Sequence, residues 1–389
     1  MMPEYRITFL VTVPENTPTD SDIYICGNHK NLGGWVPNAT KLNKVGERQY
    51  QASFIFNEGT HLDYKFTRGS WETVEKDQNF FEYPDRSVYV TKGRTVHFAI
   101  HNWADMGKPK LKASHTWSGI IKEHNGFLAT KLGNKRNIWV YLPPNYPKSP
   151  SKRYPVLYAH DGNNVFDSRT AFLGVEWELD ETAEKLVKEK KIREVIIVAI
   201  ENNIQRQEEY THVYMENYGG GKADLYADFI INDLKPFIDK TYRTLKHRQY
   251  TGIMGSSLGG LVSMYISWKY SDVFSMAGVV SPSVWWGNKD IIRFIKENKL
   301  KNKIKIWLDI GTLEGKMDDD DDEIPYAVHD TRLLRDTLVN NGFKLGYDLA
   351  YFEIEGARHN EAAWAKRVDK ILLYFFGKQR FGWKRSLRF

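Results

Sequence analysis

One short run of residues restricts the fold more than any other part of this sequence: Gly255-Ser256-Ser257-Leu258-Gly259-Gly260. A strand-like segment ends just before it, near Met254, and an apolar, helix-like segment follows it to about Tyr270. The pattern G-x-S-x-G between a strand and a helix is typical of a tight turn that presents a nucleophilic serine at the edge of a sheet. The sequence therefore predicts a reactive Ser257 at a helix N-terminus, where developing negative charge is favoured. An inert serine in a glycine-rich turn is the alternative.

The two ends of the chain differ in their pattern of apolar residues. Residues 1–103 contain short alternating segments between turn residues, which predicts an all-β, immunoglobulin-like sandwich. Residues 104–113 show neither pattern and are expected to be a linker. In residues 114–378 strand candidates alternate with helix candidates, which predicts an α/β domain with a mostly parallel sheet. The sandwich strands are expected at Tyr5–Val13, Ile23–Cys26, Gln49–Phe56, Leu62–Arg68 and Ser87–Ile100. The α/β strands are expected at Asn137–Leu142, Pro155–Asp161, Val195–Ile200, Gln249–Met254, Ser275–Ser281, Lys305–Ile310 and Tyr347–Ile354. The helices are expected at Trp177–Lys188, Ala223–Thr241, Leu258–Tyr270, Tyr326–Asn341 and Ala362–Phe376.

A nucleophilic serine needs a base, and the base needs an acid that orients it. In an α/β arrangement of this type, the order along the chain is serine, acid, histidine. Two histidines follow Ser257: His329 lies at the start of a predicted helix, whereas His359 lies in the loop after the last predicted strand. Because that loop belongs to the carboxyl edge of the sheet, His359 is the favoured base.

The acid is expected just after the strand near residues 304–310. Glu314 lies in the loop at the correct edge, so it is the favoured residue. Asp309 and Asp318 are the alternatives. Asp309 falls inside the strand, where an unpaired carboxylate would be costly, and it is expected to orient the loop instead.

The oxyanion that forms during acyl transfer needs two hydrogen-bond donors. The residue after the nucleophile supplies one backbone N–H, which is that of Leu258, and the loop after an early strand supplies the other. That loop is His160–Asp167, and Asn163 is the favoured donor, with Gly162 and Asn164 as alternatives. His160 is expected to be structural.

Charge and cysteine content exclude several other classes of protein. The net charge is +6, but five positive charges lie in the last twelve residues, so the body of the chain is nearly neutral. This distribution predicts a basic tail at 379–389 and no nucleic-acid binding. The acidic run Asp318–Glu323 is expected to be a solvated loop rather than a metal site. The single cysteine, Cys26, excludes an internal disulfide and a cysteine zinc site. No apolar run is long enough to span a membrane, and no signal peptide is visible, so cytoplasmic and secreted or periplasmic locations both stay open.

Four segments together resemble the esterase D-like branch of the α/β-hydrolases, over roughly residues 114–378. They are His160–Asp167, Gly255–Gly260, Gly311–Glu314 and Gly356–Trp364. This branch includes carbohydrate esterase family 1 (feruloyl and acetyl-xylan esterases), the enterobactin esterases and the S-formylglutathione hydrolases. The resemblance implies an α/β-hydrolase fold with Ser257 as nucleophile, His359 as base and Glu314 as the acid of the triad.

The N-terminal region resembles the starch-binding modules attached to amylases, through Cys26–Asn28, Leu32–Trp35, Leu62–Phe66 and Pro84–Arg86. In such modules aromatic rings stack on sugars while a lysine and an asparagine supply polar contacts, which implies that Trp35 and Lys65 bind carbohydrate. Two positions depart from the pattern, because a phenylalanine replaces the second tryptophan and Asp85 replaces the asparagine. Trp71 is therefore expected to supply the second ring. Packing roles for both tryptophans are the alternative.

These expectations combine into a serine esterase that hydrolyses acyl esters on saccharides, of acetyl or feruloyl type, without a metal or an organic cofactor. Its expected partners are an acylated saccharide or other small ester, and a glucan for the N-terminal module. One alternative is a siderophore esterase of the enterobactin type, with Arg169, Arg206 and Lys222 as candidate contacts to an anionic substrate. The other is a glucan-binding protein without catalytic activity, against which the intact serine, glutamate and histidine argue.

Overall fold

The structure is a computed structural model, and it describes residues 3–78, 80, 83, 85–107, 115–171, 174–216, 218–314 and 325–378. The chain divides into two compact units, Met1–Ala113 with Phe172–Gly174, and Ser114–Ala171 with Val175–Phe389. The predicted basic tail, the acidic run Asp318–Glu323 and most of the predicted linker lie outside the described residues. Within the residues that are described, no helix is long and apolar enough to cross a membrane.

The N-terminal unit is a β-sandwich, as predicted. Alternate side chains of its first strand point into the core, where Ile7, Phe9 and Val11 are fully buried. Leu62 and Tyr64 come from the other sheet and belong to the same core. The strands are β1 (Glu4–Thr12), β2 (Tyr24–Gly27), β3 (Thr40–Lys41), β4 (Asn43–Lys44), β5 (Gln49–Asn57), β6 (His61–Thr67), β7 (Glu75–Lys76), β8 (Arg86–Tyr89), β9 (Arg94–Ala99) and β10 (Asn102–Trp103).

The two main sheets of this unit have the orders β4-β5-β1-β9 and β3-β2-β6-β8, and β7 pairs separately with β10. The sequence prediction of one segment at Ser87–Ile100 is therefore wrong. That segment is two strands in different sheets, because the chain turns between Tyr89 and Arg94, around Gly93.

The second unit is built on an eight-stranded sheet with the order β11-β12-β14-β13-β17-β18-β19-β20. The first two strands and β14 pair antiparallel, and the six strands from β14 to β20 pair in parallel. The strands of this unit are β11 (Ile120–Ala129), β12 (Asn134–Leu142), β13 (Val156–Ala159), β14 (Ile196–Ile200), β15 (Tyr214–Met215), β16 (Gly219–Gly220), β17 (Thr251–Ser257), β18 (Met276–Pro282), β19 (Lys305–Gly311) and β20 (Leu349–Ile354). The short strands β15 and β16 form a separate hairpin.

Helices cover both faces of this sheet. In β14 all five residues are buried, and alternate side chains belong to two different apolar clusters: Val198 to one and Ile197 to the other. A sheet buried on both faces is what parallel βα units produce, so the predicted α/β-hydrolase fold is confirmed. The helices are α1 (Leu179–Lys188), α2 (Arg206–Glu209), α3 (Ala223–Asp228), α4 (Lys235–Thr241), α5 (Leu258–Lys269), α6 (Trp286–Glu297), α7 (Tyr326–Asn340), α8 (Glu361–Ala365) and α9 (Val368–Phe376).

The carboxyl ends of the parallel strands carry the residues that the sequence selected. Asn163 follows β13, Ser257 ends β17, Glu314 follows β19, and His359 follows β20. In open α/β sheets ligands bind at this edge. The topology therefore brings the predicted catalytic residues to one edge of one sheet.

Candidate active site

The turn between β17 and α5 holds Ser257 in a strained conformation. Its φ of 58° and ψ of −123° lie in a region that residues with a side chain rarely adopt. A Cβ added at Gly255 would lie 2.9 Å from the backbone of Gly259, and one at Gly260 would lie 2.8 Å from the carbonyl oxygen of Val280. A side chain at Gly255 or Gly260 would therefore force its neighbours to shift, whereas a Cβ at Gly259, the second glycine of the motif, would make only a tight contact.

Glu314 and His359 form a close pair. His359 Nδ1 lies 2.7 Å from Glu314 Oε2, and the glutamate is only 1% exposed. Because a carboxylate only accepts hydrogen bonds, Nδ1 carries the proton and Nε2 is left free to act as a base. Burial raises the pKa of Glu314, but the hydrogen bond from His359 and the charge of Arg367 outweigh burial and bring this pKa below its ordinary value. Glu314 is thus ionised at neutral pH.

The end of β18 connects the serine to this pair. Ser283 Oγ lies 3.2 Å from Ser257 Oγ, and the Ser283 N–H donates to the Ser257 carbonyl. Two residues earlier, Ser281 donates from Oγ to Glu314 Oε1 at 2.7 Å. The structure therefore brings the predicted acid and base together, and places both next to the strand end that contacts the nucleophile. Among the described residues, Ser257 and His359 share no hydrogen bond.

The predicted oxyanion loop also lies against the serine turn. A Cβ at Gly259, in the serine turn, would lie 3.2 Å from Asp161 Oδ2. The loop also packs on the end of β14, because a Cβ at Gly162 would lie 2.6 Å from the backbone of Ile200. The backbone N–H groups of Asn163 and Leu258 donate to no other described residue, so both are available to an oxyanion. The pairing of these two donors stays a prediction.

The first two residues of this loop, His160 and Asp161, are buried and hydrogen-bonded to residues outside the loop. His160 is fully buried, and its Nδ1 lies 2.9 Å from Tyr226 Oη. Burial lowers the pKa of His160 to about 3, so the ring is neutral. The adjacent Asp161 accepts from Arg206 Nε and from Asn202 Nδ2, both at 2.6 Å. His160 thus lies in the support of the loop, in keeping with a structural role.

In the N-terminal unit, Trp35 and Trp71 lie side by side. Their ring centroids are 6.5 Å apart with an interplanar angle of 33°, and Trp71 is 36% exposed. The predicted third residue, Lys65, is 8% exposed, and its ammonium contacts the Tyr83 carbonyl and Asp85. The structure therefore pairs the two tryptophans and leaves Lys65 engaged within the protein.

Comparison with known families identifies the two parts of the chain. Residues 129–375 match the family described as "Putative esterase", and residues 4–99 match the "Starch binding domain". The first match covers more than half of the chain. The chain belongs to the putative esterase family. Ahead of the hydrolase fold, the N-terminal unit is similar to the starch-binding domain family.

Curated relatives match the same two parts of the chain. The uncharacterized protein YbbA of Bacillus subtilis is 27% identical over 269 residues, which cover 67% of this chain and 98% of YbbA. The amylopullulanase of Thermoanaerobacter thermohydrosulfuricus is 35% identical over 105 residues, 26% of this chain but only 7% of the amylopullulanase. The amylopullulanase match therefore relates only a small part of each protein to the other.

Solved structures show the same fold at low sequence identity. The enterobactin esterase FES from Shigella flexneri, with 2,3-di-hydroxy-N-benzoyl-glycine, has a TM-score of 0.53 and 14% identity over 96% of this chain and 93% of that one. A ferulic acid esterase from Anaeromyces mucronatus, in complex with ferulic acid, has a TM-score of 0.50 and 21% identity over 69% of this chain and 94% of that one. At these identities the two structures show the shared fold, and the family match supports a hydrolase.

Three residues of the candidate site were not selected from the sequence: Ser281, Ser283 and Arg367. The two serines follow the nucleophile by more than twenty residues, and nothing in their local pattern points to catalysis. Arg367 lies three residues after Trp364, a spacing that places two side chains on one face of a helix. That spacing, directly after the His359 loop, is a signal that could have found it.

The three basic residues predicted to contact an anionic substrate have different surroundings in the structure. Arg206 is paired with Asp161, and Lys222 lies 3.7 Å from Glu208. Arg169 makes no ion pair within the described part of the chain, and its Nε is buried without a hydrogen-bond partner. Arg169 is therefore the candidate that remains available to an anion.

One group of carboxylates is close enough to hold a cation. One oxygen each from Glu176, Asp180 and Glu181 lie within 4.8 Å of one another. Burial raises the pKa of Asp180 to about 9 and that of Glu176 to about 7. Protonation can therefore relieve the repulsion in this group without a metal ion.

Proposed function

We propose that this protein is a serine esterase that uses Ser257, His359 and Glu314 as a catalytic triad. The observation that carries the proposal is the 2.7 Å contact between His359 Nδ1 and Glu314 Oε2, at the sheet edge where the strained Ser257 lies. The acid fixes the imidazole so that Nε2 is the base. Catalytic hydrogen bonds often tighten only when substrate is bound, so the absence of a Ser257–His359 bond is compatible with this role.

The reaction follows from this geometry in two halves. Ser257 Oγ attacks the ester carbonyl while His359 Nε2 takes its proton, and the N–H groups of Leu258 and Asn163 stabilise the oxyanion. His359 then gives the proton to the leaving alcohol oxygen, and an acyl-serine remains. Water attacks the acyl-serine with the same base, which releases the carboxylic acid and restores Ser257.

The proposed substrates are acyl groups on saccharides, of acetyl or feruloyl type, and the proposed partner of the N-terminal unit is a glucan. The starch-binding domain match and the Trp35–Trp71 pair support the glucan, because aromatic faces stack on the apolar faces of sugars. The likeness to a ferulic acid esterase structure supports the ester.

Labelling with a fluorophosphonate tests the nucleophile. Ser257→Ala should abolish both labelling and hydrolysis of p-nitrophenyl acetate, whereas Ser256→Ala, at the buried neighbouring serine, should keep both. No labelling of the folded wild-type protein would contradict the enzyme and favour the non-catalytic alternative. Binding of the full-length protein to insoluble glucan should weaken in Trp71→Ala. It should not weaken in Tyr347→Ala, a control with an exposed aromatic residue in the hydrolase unit.

A siderophore ester is the second candidate substrate, because Arg169 lacks an acidic partner in the described residues and the enterobactin esterase covers 96% of the chain. Wild type and Arg169→Ala should be compared on methyl ferulate and on ferric enterobactin. Turnover of the siderophore alone, with a selective loss in Arg169→Ala, would replace the saccharide proposal.

A further inference from the structure

The two oxygens of Glu314 have separate partners. Oε1 accepts three hydrogen bonds, from Ser281 Oγ at 2.7 Å, from the Gly311 N–H at 2.8 Å and from Arg367 Nη2 at 3.1 Å. Oε2 accepts the hydrogen bond from His359. One oxygen is thus fixed by the protein, and the other is directed at the base.

Arg367 is itself held on every side. It is 1% exposed, and its Nη1 donates to Asp309 and, at 3.1 Å, to Ser281 Oγ. Its Nε donates to the Ala363 carbonyl at 3.2 Å. Asp309 in turn accepts from Trp307 Nε1 at 2.6 Å. The guanidinium therefore has one fixed position between two buried carboxylates.

The same segment also contacts the base. The Trp364 ring meets the His359 ring edge-on, with centroids 4.9 Å apart at 87°, and Trp364 Nε1 donates to Ser281 Oγ at 3.0 Å. The Ser281 hydroxyl thus donates to Glu314 and accepts from Trp364 and Arg367. Glu314, His359 and Arg367 thus form one connected group, in which Glu314 and Arg367 are buried and His359 is exposed.

We propose that Arg367 is a positioning residue of the triad, which fixes the rotamer of Glu314 and keeps this carboxylate charged so that it can orient His359. The proposal rests on the proposed esterase function. A buried carboxylate without a cation tends to become neutral, and a neutral glutamic acid would present a donor as well as an acceptor to the imidazole. Arg367 prevents this by contributing a fixed positive charge in a place that water does not reach.

In the described part of the chain, three titratable or charged groups face Glu314. His359 lies on the loop after β20, Arg367 lies between α8 and α9, and Asp309 lies on β19. Arg367 lowers the pKa of Glu314, and Asp309 is the neighbouring negative charge. Removal of Arg367 alone therefore leaves two buried carboxylates side by side and should raise the pKa of Glu314.

The test compares Arg367→Met, Arg367→Lys and the double variant Arg367→Met/Asp309→Asn with wild type. Arg367→Met should lower kcat by about 10²-fold with KM nearly unchanged, the usual scale for a small misplacement of a catalytic group. The acid limb of its kcat/KM profile should move to higher pH, because that limb reports the Glu314–His359 pair as a unit. Arg367→Lys should restore the position of the acid limb.

The double variant separates positioning from stability. It removes the unpaired Asp309 charge, so it should recover the unfolding free energy that Arg367→Met loses, but not kcat. Recovery of both, or an acid limb that stays in place in Arg367→Met, would overturn the proposal. Arg136→Met is the matched control, because Arg136 is also a buried arginine paired with a glutamate; it should lower stability without moving the acid limb.

A measurement that needs no substrate tests the role of Arg367 separately from the proposed esterase activity. The Nδ1 proton of His359, held between nitrogen and carboxylate, should give a far-downfield proton NMR signal in wild type that disappears in His359→Ala. The signal should be lost in Arg367→Met and kept in Arg136→Met, even if no ester is turned over. If Glu314→Gln is inactive while Arg367→Met keeps full activity and this signal, the triad stands and the role of Arg367 fails.

Discussion

The contact between the Glu314 loop and the His359 loop depends on Gly311, and replacing it with alanine tests the candidate site. A Cβ at Gly311 would lie 2.3 Å from the Ala357 carbonyl oxygen and 2.7 Å from Glu314 Oε1. Ordinary van der Waals contact begins at 3.4 Å, so the two loops must separate by about 1 Å. The Leu313–Ala357 backbone hydrogen bond, now 3.0 Å, joins the same two loops and would lengthen.

Two magnitudes follow from this separation in Gly311→Ala. Overpacking of this kind lowers the unfolding free energy by about 1–3 kcal/mol. A catalytic pair displaced by about 1 Å loses on the order of 10²-fold in kcat, or about 2.7 kcal/mol of transition-state stabilisation. We expect both effects, with KM changed much less.

The assay is hydrolysis of p-nitrophenyl acetate, with active sites counted by fluorophosphonate labelling so that unfolded protein does not enter kcat. Urea unfolding gives the stability term. Gly93→Ala is the control, because its Cβ would lie 3.4 Å from the nearest atom, the Arg6 carbonyl oxygen, and its φ is not left-handed. A wild-type kcat per labelled site in a destabilised Gly311→Ala would refute the idea that this loop contact positions the pair.

Two further predictions concern buried charges. Arg136 donates to Glu209 at 2.8 and 2.9 Å, and both side chains are fully buried. Arg136→Met should therefore lower the unfolding free energy, measured in urea, by about 3–5 kcal/mol. Adding Glu209→Gln to this variant should recover part of the loss. The pKa of Glu314 is below its ordinary value, so the charged carboxylate stabilises the fold above the unfolded-state pKa of about 4.3, and this contribution is lost as pH falls through the lower folded pKa. The stability difference between wild type and Glu314→Gln should therefore shrink below about pH 4.3, and an equal difference at pH 7 and pH 3 would contradict the assignment.

The serine turn and the loops that carry the proposed acid and base could be predicted because each follows from local sequence patterns. A glycine pattern between a strand and a helix leaves few backbone solutions, and α5 begins at Leu258 as the motif requires. The loops that carry Glu314 and His359 follow strands whose ends were predicted at Ile310 and Ile354. The structure ends them at Gly311 and Ile354.

Elements with interrupted periodicity were missed. β11 was not predicted, because only its last residue is fully buried and its register shifts around Gly126, which has a φ of 66°. α6 was also missed: residues 287–289 are left-handed near its start, so no continuous helical pattern leads into it. The helix predicted at Ala223–Thr241 is present over that range, but the π-helical segment Phe229–Leu234, which was not predicted, divides it into α3 and α4. In each case a local irregularity breaks the period on which sequence patterns depend.

The distant side chains that contact Glu314 could not be predicted from the residues next to it in the sequence. Ser281 lies 33 residues before it, His359 45 residues after it and Arg367 53 residues after it. Only the order of strands in the sheet brings these residues to one edge. Residue types and loop positions were therefore enough to propose the acid and the base, whereas the residues that hold Glu314 and His359 could be identified only from the fold.

The choice of glutamate over aspartate at position 314 follows from the turn that begins at Gly311. The backbone N–H of Glu314 donates to the Gly311 carbonyl at 3.1 Å, and the Gly311 N–H donates back to Glu314 Oε1 at 2.8 Å. The side chain thus folds over its own turn and still reaches His359 with Oε2. An aspartate, one methylene shorter, would have to give up either the Gly311 N–H or the imidazole. The loop geometry therefore favours a glutamate as the acid of the proposed triad, because a single side chain both closes the turn and orients the base.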